Sequence, residues 1–358
     1  MDYQTIPYDL LYNFCHQAFK QMGFTDEEAT IITDVLIRSD LYGIESHGVQ
    51  RLIRYDTDIR RGLIHPHGDI KVVFETPISA VIDGQEGMGQ LIAHKCMSLA
   101  ITKAQANGIG MVTTRNSNHY GIAGFYAQMA CDQGLLGMSF TNSSPLLVPT
   151  YARKAALGSN PVALAMPAEP YPFLFDASTT VITRGKVEVY NKNKEPLYPG
   201  WAVDERGVPT TDAQVALNAL NRKEGGILPI GGSEEATGSH KGYGFAMISE
   251  ICSAIFSLGT TSNHTYQGQF GGICHGFMAM DLNLFGDAAA ITQHLSDFLE
   301  ELRSLPKADG ADRIYSHGEK EVFAMQQMKQ NGIPVNQSTL AELIAIGQQL
   351  GVTAPLGV

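Results

Sequence analysis

Residues 43–55, GIESHGVQRLIRY, set one imidazole and two guanidiniums within a short stretch. Written as a helix, the stretch puts Val49, Leu52 and Ile53 on one apolar face at the 3.6-residue period. His47, Arg51 and Arg54 then fall on the opposite face, because positions i, i+4 and i+7 nearly superpose. Such a face offers a proton carrier beside cations that bind an anion. It serves equally well as a solvated surface, with Arg54 and Asp58 forming an ordinary i, i+4 ion pair.

Four further stretches carry reactive types where a strand or turn meets a helix. SNHYGIAGFYA (117–127) holds His119, an acid, a base or a carboxylate partner. TNSSPLLVP (141–149) supplies the hydroxyls of Ser143 and Ser144, and FLFDASTTVITRGKVEVY (173–190) ends an apolar strand at Asp176. A carboxylate there can take a ribose hydroxyl, orient a histidine, or cap the next segment. GSHKGYGF (238–245) combines glycines, Lys241 and the free amides of a helix start, a phosphate-type environment. YSHGEKE (315–321) opens another helix and reaches a ligand through backbone amides.

Absences narrow the chemistry. Neither G-x-G-x-x-G nor G-x-x-x-x-G-K-S/T occurs, and GQEGMG (84–89) is a turn. No G-x-S-x-G elbow supports a Ser-His-Asp hydrolase. HPH (65–67) and Cys274-His275 lack a supporting carboxylate cluster, so no metal site is expected. A net charge of −11 excludes a nucleic-acid binder and leaves anion binding to local cations and amides. No apolar run of membrane-spanning length occurs, and the N-terminus lacks a signal-peptide pattern. Five scattered cysteines without a CxxC pair suit a reducing compartment, so a cytoplasmic protein is expected.

These residues need a scaffold. Residues 1–66 read as helical, with a capping box at Thr25 and Glu28 and a third helix ending near Gly62. From about residue 69 strands and helices alternate, which predicts an α/β core with a mixed sheet. The 160–235 segment reads as strands and turns, and GYGFAMISEICSAIFSLG (242–259) as a long buried helix. Helices return at 287–304, 319–330 and 339–350, the last with a capping box at Thr339 and Glu342. The expected division is an N-terminal helical region (1–68), a mixed α/β cofactor-binding core (69–286) and a C-terminal helical region (287–358) packing on the first.

Seven segments in order, GIESHGVQRLIRY, RNSNHYGIAGFYAQMA, GSNPVALAMP, FDASTTVITRGKVEVY, GWAVDERGVPTTD, GSHKGYGFAM and HGEKE, resemble the malate/L-lactate dehydrogenase family that is distinct from the Rossmann-type enzymes. The similarity spans roughly residues 8–350, and GKVEVYNKNKEPLYPGWA looks most like the archaeal-type malate enzymes. The resemblance implies a non-Rossmann NAD(P)-binding α/β fold with a helical domain built from both chain ends, and a homodimer with its active site at a domain and subunit boundary. It also implies NAD or NADP as cofactor and a small 2-hydroxy or 2-oxo acid as substrate. Malate/oxaloacetate is the expected pair, with L-lactate, sulfolactate or ureidoglycolate, or a redox-inactive ligand-binding relative, as alternatives. Carried over by motif, His47 and His119 are the candidates for proton transfer and Arg51 for the substrate carboxylate. Ser143, Asp176, Ala177, Ser178, Lys241, Gly318 and Glu319 match cofactor-contacting positions. Many relatives have Ala-Thr-Ser where this chain has Ala177-Ser178-Thr179, and proline often stands at His317.

On this reading Arg51 grips the C1 carboxylate in a bidentate pair while His47, one turn earlier, exchanges a proton with the 2-hydroxyl. A helix N-terminus would lower the pKa of His47, and Asp176 would oppose that if it touched the ring. The alternative gives proton transfer to His119 and leaves His47 to polarise the carbonyl. A second substrate carboxylate would need another cation, with Arg54, Arg115, Arg153 and Arg184 all available.

Overall fold

The computed structural model describes residues 3–267 and 270–355. It opens on a short strand, β1 (Tyr3–Ile6), followed by α1 (Tyr8–Gln21) and α2 (Asp26–Leu41). The Thr25–Glu28 capping box forms, Glu28 N–H donating to Thr25 Oγ1 and Thr25 N–H to Glu28 Oε2. The expected third helix is broken. Residues 45–47 and 49–51 are separate 3₁₀ turns, and α3 (Leu52–Arg60) begins only afterwards. Gly48 stands at the break. A Cβ there would lie 1.8 Å from Asp40 Oδ1, and the buried Asp40 carboxyl accepts the Val49 N–H at 2.8 Å. The side chain of α2 therefore captures a donor that a continuous helix would have used.

The centre is a sheet. Along the chain come β2 (Lys71–Glu75), β3 (Ser79–Asp83), α4 (Gly89–Asn107), β4 (Ile109–Ser117), α5 (Ala123–Cys131), β5 (Leu135–Thr141), β6 (Val162–Met166) and β7 (Phe173–Ala177). Then follow α6 (Arg184–Asn193), β8 (Ala202–Val203), β9 (Pro209–Thr210), α7 (Ala213–Arg222), β10 (Gly226–Ile227), α8 (Ser239–Glu250) and β11 (Ile273–Asp281). The last elements are α9 (Ala288–Arg303), α10 (Glu319–Asn331), β12 (Ile333–Asn336) and α11 (Gln337–Leu350). Seven strands lie in the order β2-β3-β4-β11-β5-β6-β7, and of the neighbouring pairs only β3–β4, joined through α4, is parallel. The expected mixed sheet is present. Its core face packs Ile92, Met97 and Ala100 of α4 and Tyr126 and Ala127 of α5 against Ile82, Val112 and Phe277. Gly276 points to the other face, where a Cβ would meet Cys252 O at 2.1 Å, so the segment continuing α8 lies directly on β11.

Three expectations need correction. The 160–235 segment contains two helices, α6 and α7. With β8, β9 and β10 they enclose a small core of Val187, Leu197, Ala216, Leu220 and Ile227. Side chains of Thr183 and Asp212 cap these helices by accepting Lys186, Gln214 and Val215 N–H groups. Secondly, the 242–259 helix is not buried throughout. It turns π-helical over Ile251–Ile255, and Phe245, Ile248, Ile255 and Phe256 remain about half exposed, at 46–54%. Thirdly, α11 starts before Thr339, because Asn336 accepts the Ser338 N–H at 2.9 Å and caps the helix.

The two chain ends share one core. Ile6, Phe14, Phe19, Leu36 and Tyr55 pack with Ile333, Leu343 and Ile346, and β1 pairs antiparallel with β12. Burying side chains of this size contributes about 1.5–3 kcal/mol each, so the helical domain is a folded body rather than a pair of tails. α9 lies elsewhere, its Ser296 hydroxyl accepting the Glu169 N–H at 2.9 Å beyond β6. Among the described residues no helix is long and apolar enough to cross a membrane.

Candidate active site

A small cavity of about 90 Å³ opens where the helical domain meets the sheet. His47 and Arg54 line it from the broken helix, and His119 from the loop after β4. Asn142 and Ser143 enter after β5, Tyr266 and His275 from around the start of β11. Its size is that of a small acid, with charge on one wall and hydroxyls on another.

The two sequence-predicted histidines come together. Their rings stack at 5.4 Å between centroids with planes 25° apart. His47 Nδ1 is 2.8 Å from Ser46 Oγ, and His119 Nδ1 is 2.7 Å from the hydroxyl of Tyr55, itself fully buried. Burial, then the charges of Arg51 and Arg54, bring the His47 pKa down to about 4. Burial, followed by Arg54, His47 and Arg51, holds His119 well below the ordinary imidazole range. Both rings are therefore neutral at pH 7. The helix N-terminus expected to do this is missing, since His47 closes a 3₁₀ turn.

The arginines differ. Arg54 does pair with Asp58, Nε to Oδ2 at 3.4 Å, as a solvated face would predict. It also donates from Nη2 to the Tyr266 hydroxyl at 2.8 Å and walls the cavity. Arg51 stands outside the lining, its Nε donating to Ser46 O at 2.6 Å. It makes no ion pair among the described residues, and its charge still acts on both histidines. Of the other cations considered, Arg115 pairs with Asp83 at 3.3 Å, Arg184 with Glu188 at 2.9 Å, and Arg153 is exposed away from the cavity.

A second group of predicted residues gathers near the end of β7. Ser143 Oγ lines the cavity and accepts the Ser159 N–H at 3.1 Å, and Ser159 O accepts the Thr179 N–H at 2.8 Å. Ala177 pairs with Val162 across the sheet, and Ser178 Oγ donates to Thr180 O at 3.2 Å. Asp176 makes no contact with His47. Its Oδ2 accepts the Gly124 N–H in the first turn of α5 at 2.6 Å, and burial outweighs that bond to push its pKa up to about 6. Gly318, at φ +97°, begins α10, and the turn before it lies on β7, with Leu174 N–H donating to His317 O at 3.1 Å.

Two predicted side chains depart from the group. Glu319 turns inward, fully buried, and accepts Ser316 N–H at 2.9 Å and Arg313 Nη2 at 2.7 Å, so only its backbone is left for a ligand. Lys241 is exposed on the first turn of α8, outside the cavity lining. For a nicotinamide dinucleotide the donor set is suitable. Asp176 Oδ1 makes no hydrogen bond among the described residues, while Oδ2 sits on the start of α5 and the turn that opens α10 lies on the same strand.

Tyr55, Tyr266 and His275 were not found from the sequence as site residues. Tyr266 lies in no motif, and Tyr55 closes the 43–55 stretch but was given no role there. His275 was weighed only as half of a cysteine–histidine pair, and both its nitrogens are engaged, Nδ1 with Thr141 Oγ1 at 2.7 Å and Nε2 with Ser117 Oγ at 2.9 Å. It stacks on Tyr120 at 4.2 Å, and burial lowers its pKa to about 3. Among the described residues no cluster of three metal-ligating side chains forms.

A fold of this kind, with paired imidazoles and guanidiniums at its helical boundary, has known counterparts. Residues 6–344 match the family profile described as malate/L-lactate dehydrogenase, and the chain belongs to that family of 2-hydroxy acid oxidoreductases. It is 42% identical to the malate dehydrogenase of Pyrococcus abyssi over 98% of this chain and 96% of that one. It is 37% identical to the L-sulfolactate dehydrogenase of Methanocaldococcus jannaschii over 93% of each. The solved malate dehydrogenase of Entamoeba histolytica superposes with a TM-score of 0.95 at 31% identity, over 99% of this chain and 100% of that one.

Proposed function

We propose that this chain interconverts malate and oxaloacetate with a nicotinamide dinucleotide, NAD or NADP. The observation that carries the reading is the stacked pair of neutral imidazoles beside two guanidiniums at the edge of a cavity sized for a small acid. The bound nicotinamide supplies the hydride acceptor in oxidation and the donor in reduction. Ser143, Asp176, Ala177, Ser178 and the backbone of Gly318 and Glu319 would hold the dinucleotide, with Lys241 as the nearby phosphate cation.

The protein's own groups divide the remaining work. Arg51, whose terminal nitrogens make no ion pair, takes the C1 carboxylate through its fork. A phenol is a better donor than a neutral imidazole N–H, so Tyr55 donates to His119 Nδ1 and leaves the hydrogen on Nε2. His119 is then a fixed donor to the C2 oxygen. His47 donates from Nδ1–H to the Ser46 hydroxyl, which leaves Nε2 bare to take a proton. In oxidation His47 Nε2 takes the hydroxyl proton as hydride leaves C2. The products are the 2-oxo acid and an imidazolium that returns the proton in reduction.

The exposed row Phe245, Ile248, Ile255 and Phe256 on the α8 segment supports a homodimer in which a second copy covers this face. A monomer in sedimentation velocity at micromolar concentration would overturn that assignment. The catalytic reading is tested with oxaloacetate, pyruvate and sulfopyruvate, each assayed with both reduced dinucleotides, with and without chelator. Oxidation of the dinucleotide by oxaloacetate, unaffected by chelator, is expected; no turnover with any of the acids would end the reading.

A further inference from the structure

We infer that Arg54 is the specificity-determining residue, reading the distal anionic group of the acid and selecting dianionic 2-oxo acids over monocarboxylates. This rests on the dehydrogenase reading above and assigns a role within that same site. Of the four arginines available for a second anion, Arg54 alone lines the cavity; Arg115 and Arg184 are paired elsewhere and Arg153 faces solvent. Its side chain is fixed at two points, Nε toward Asp58 at 3.4 Å and Nη2 on the Tyr266 hydroxyl at 2.8 Å. That leaves Nη1 without a hydrogen bond among the described residues, beside the two imidazoles.

A guanidinium held this way suits one end-on charge contact rather than the bidentate clamp that fixes C1. Arg51, held only through its Nε, keeps the whole fork for the clamp. Selection follows from desolvation. With a dianion the Arg54 charge is answered inside the closed cavity. With pyruvate its Nη1 faces a methyl group, and Asp58 answers the charge only from the Nε side. The site thus favours the dianion and also works against the smaller acid. A carboxylate and a sulfonate both answer the charge.

The measurement is the ratio of kcat/KM for oxaloacetate to kcat/KM for pyruvate in wild type, R54Q, R54K and Y266F. A ratio removes the influence of Arg54 on the His47 pKa, which both acids share. In R54Q the ratio should collapse by about a hundredfold to a thousandfold, the loss typical of an unpaired buried charge. R54K should lose roughly tenfold, and Y266F less, because the charge remains and only its aim is relaxed. Thermal melts establish that each variant is folded. Calorimetric titration of the same two acids without reductant reads the same preference independently of turnover. A wild type inactive toward both acids would sink the dehydrogenase reading and leave the Arg54 comparison legible in binding. An R54Q ratio, in turnover or binding, within threefold of wild type overturns the inference, because Arg54 would then serve C1 or nothing.

Discussion

Two turns in this molecule are propped by a buried carboxyl, and they use it in opposite ways. In the turn at 44–51, Asp40 accepts the Val49 N–H and has no ion-pair partner among the described residues; burial holds its pKa well above the usual carboxylate range. In the turn at 315–319, Glu319 accepts the Ser316 N–H and is answered by Arg313 at 2.7 Å and Arg303 at 3.8 Å. The second turn binds its arginines internally and presents backbone. The first leaves Arg51 and Arg54 uncommitted to its buried acid and presents side chains. On the proposed function, proton transfer and anion binding belong to the first turn, and docking of a cofactor along a backbone edge to the second.

The largest expected effect is at the first turn. His47→Gln should reduce single-turnover hydride transfer by about 10²- to 10⁴-fold, the usual contribution of a positioned acid–base. Because the wild-type imidazole titrates at about 4, kcat at saturating malate should stay level from neutral pH down to that value. Below it the neutral base is lost and the rate falls; the Gln variant should lack this limb. A limb near 6.5 would mean that the arginines do not act on His47 as described. Next, Gly48→Ala forces the turn off Asp40, and a displacement of the histidine and both arginines should cost about 10²-fold in kcat/KM.

The second turn should respond differently. Glu319→Gln leaves Arg303 and Arg313 without their buried partner and should destabilise the fold by about 3 kcal/mol. The KM for dinucleotide should rise while kcat holds, and an equal fall in kcat would erase the contrast between the turns. Asp40→Asn is the smallest change. The folded-state pKa of Asp40 is raised, so its contribution is intact below the unfolded value of about 3.9 and is lost as pH rises through the folded one. The variant still accepts the Val49 N–H. Its melting temperature relative to wild type should climb as pH rises above about 4. A difference independent of pH would show that Asp40 is ionised in the fold.

The sequence disclosed this site unevenly. His47 and His119 stand out through the resemblance of their motifs, since the 43–55 face read alone serves equally well as a solvated surface. The break at Gly48 was hidden, since the period of Val49, Leu52 and Ile53 continues through it and the cause, Asp40, lies on another helix. Tyr266 meets Arg54 across 212 residues, and no local pattern encodes such a pairing. Helix α6 was masked by the β-branched run in VITRGKVEV, where Thr183 capping and burial of Val187 override local preference. The inward turn of Glu319 depends on Arg303 from α9, again a tertiary partner.

With one parallel pair among its seven strands, the sheet has no crevice generated by strand order, the feature that anchors dinucleotides in doubly wound folds. The paired histidines and Ser143 stand instead on connections, His47 in the broken turn, His119 after β4 and Ser143 after β5. On the proposed function, acid preference rests on the 45–60 segment and cofactor docking on the 315–319 turn, both outside the sheet, so grafting either between relatives leaves every strand register untouched.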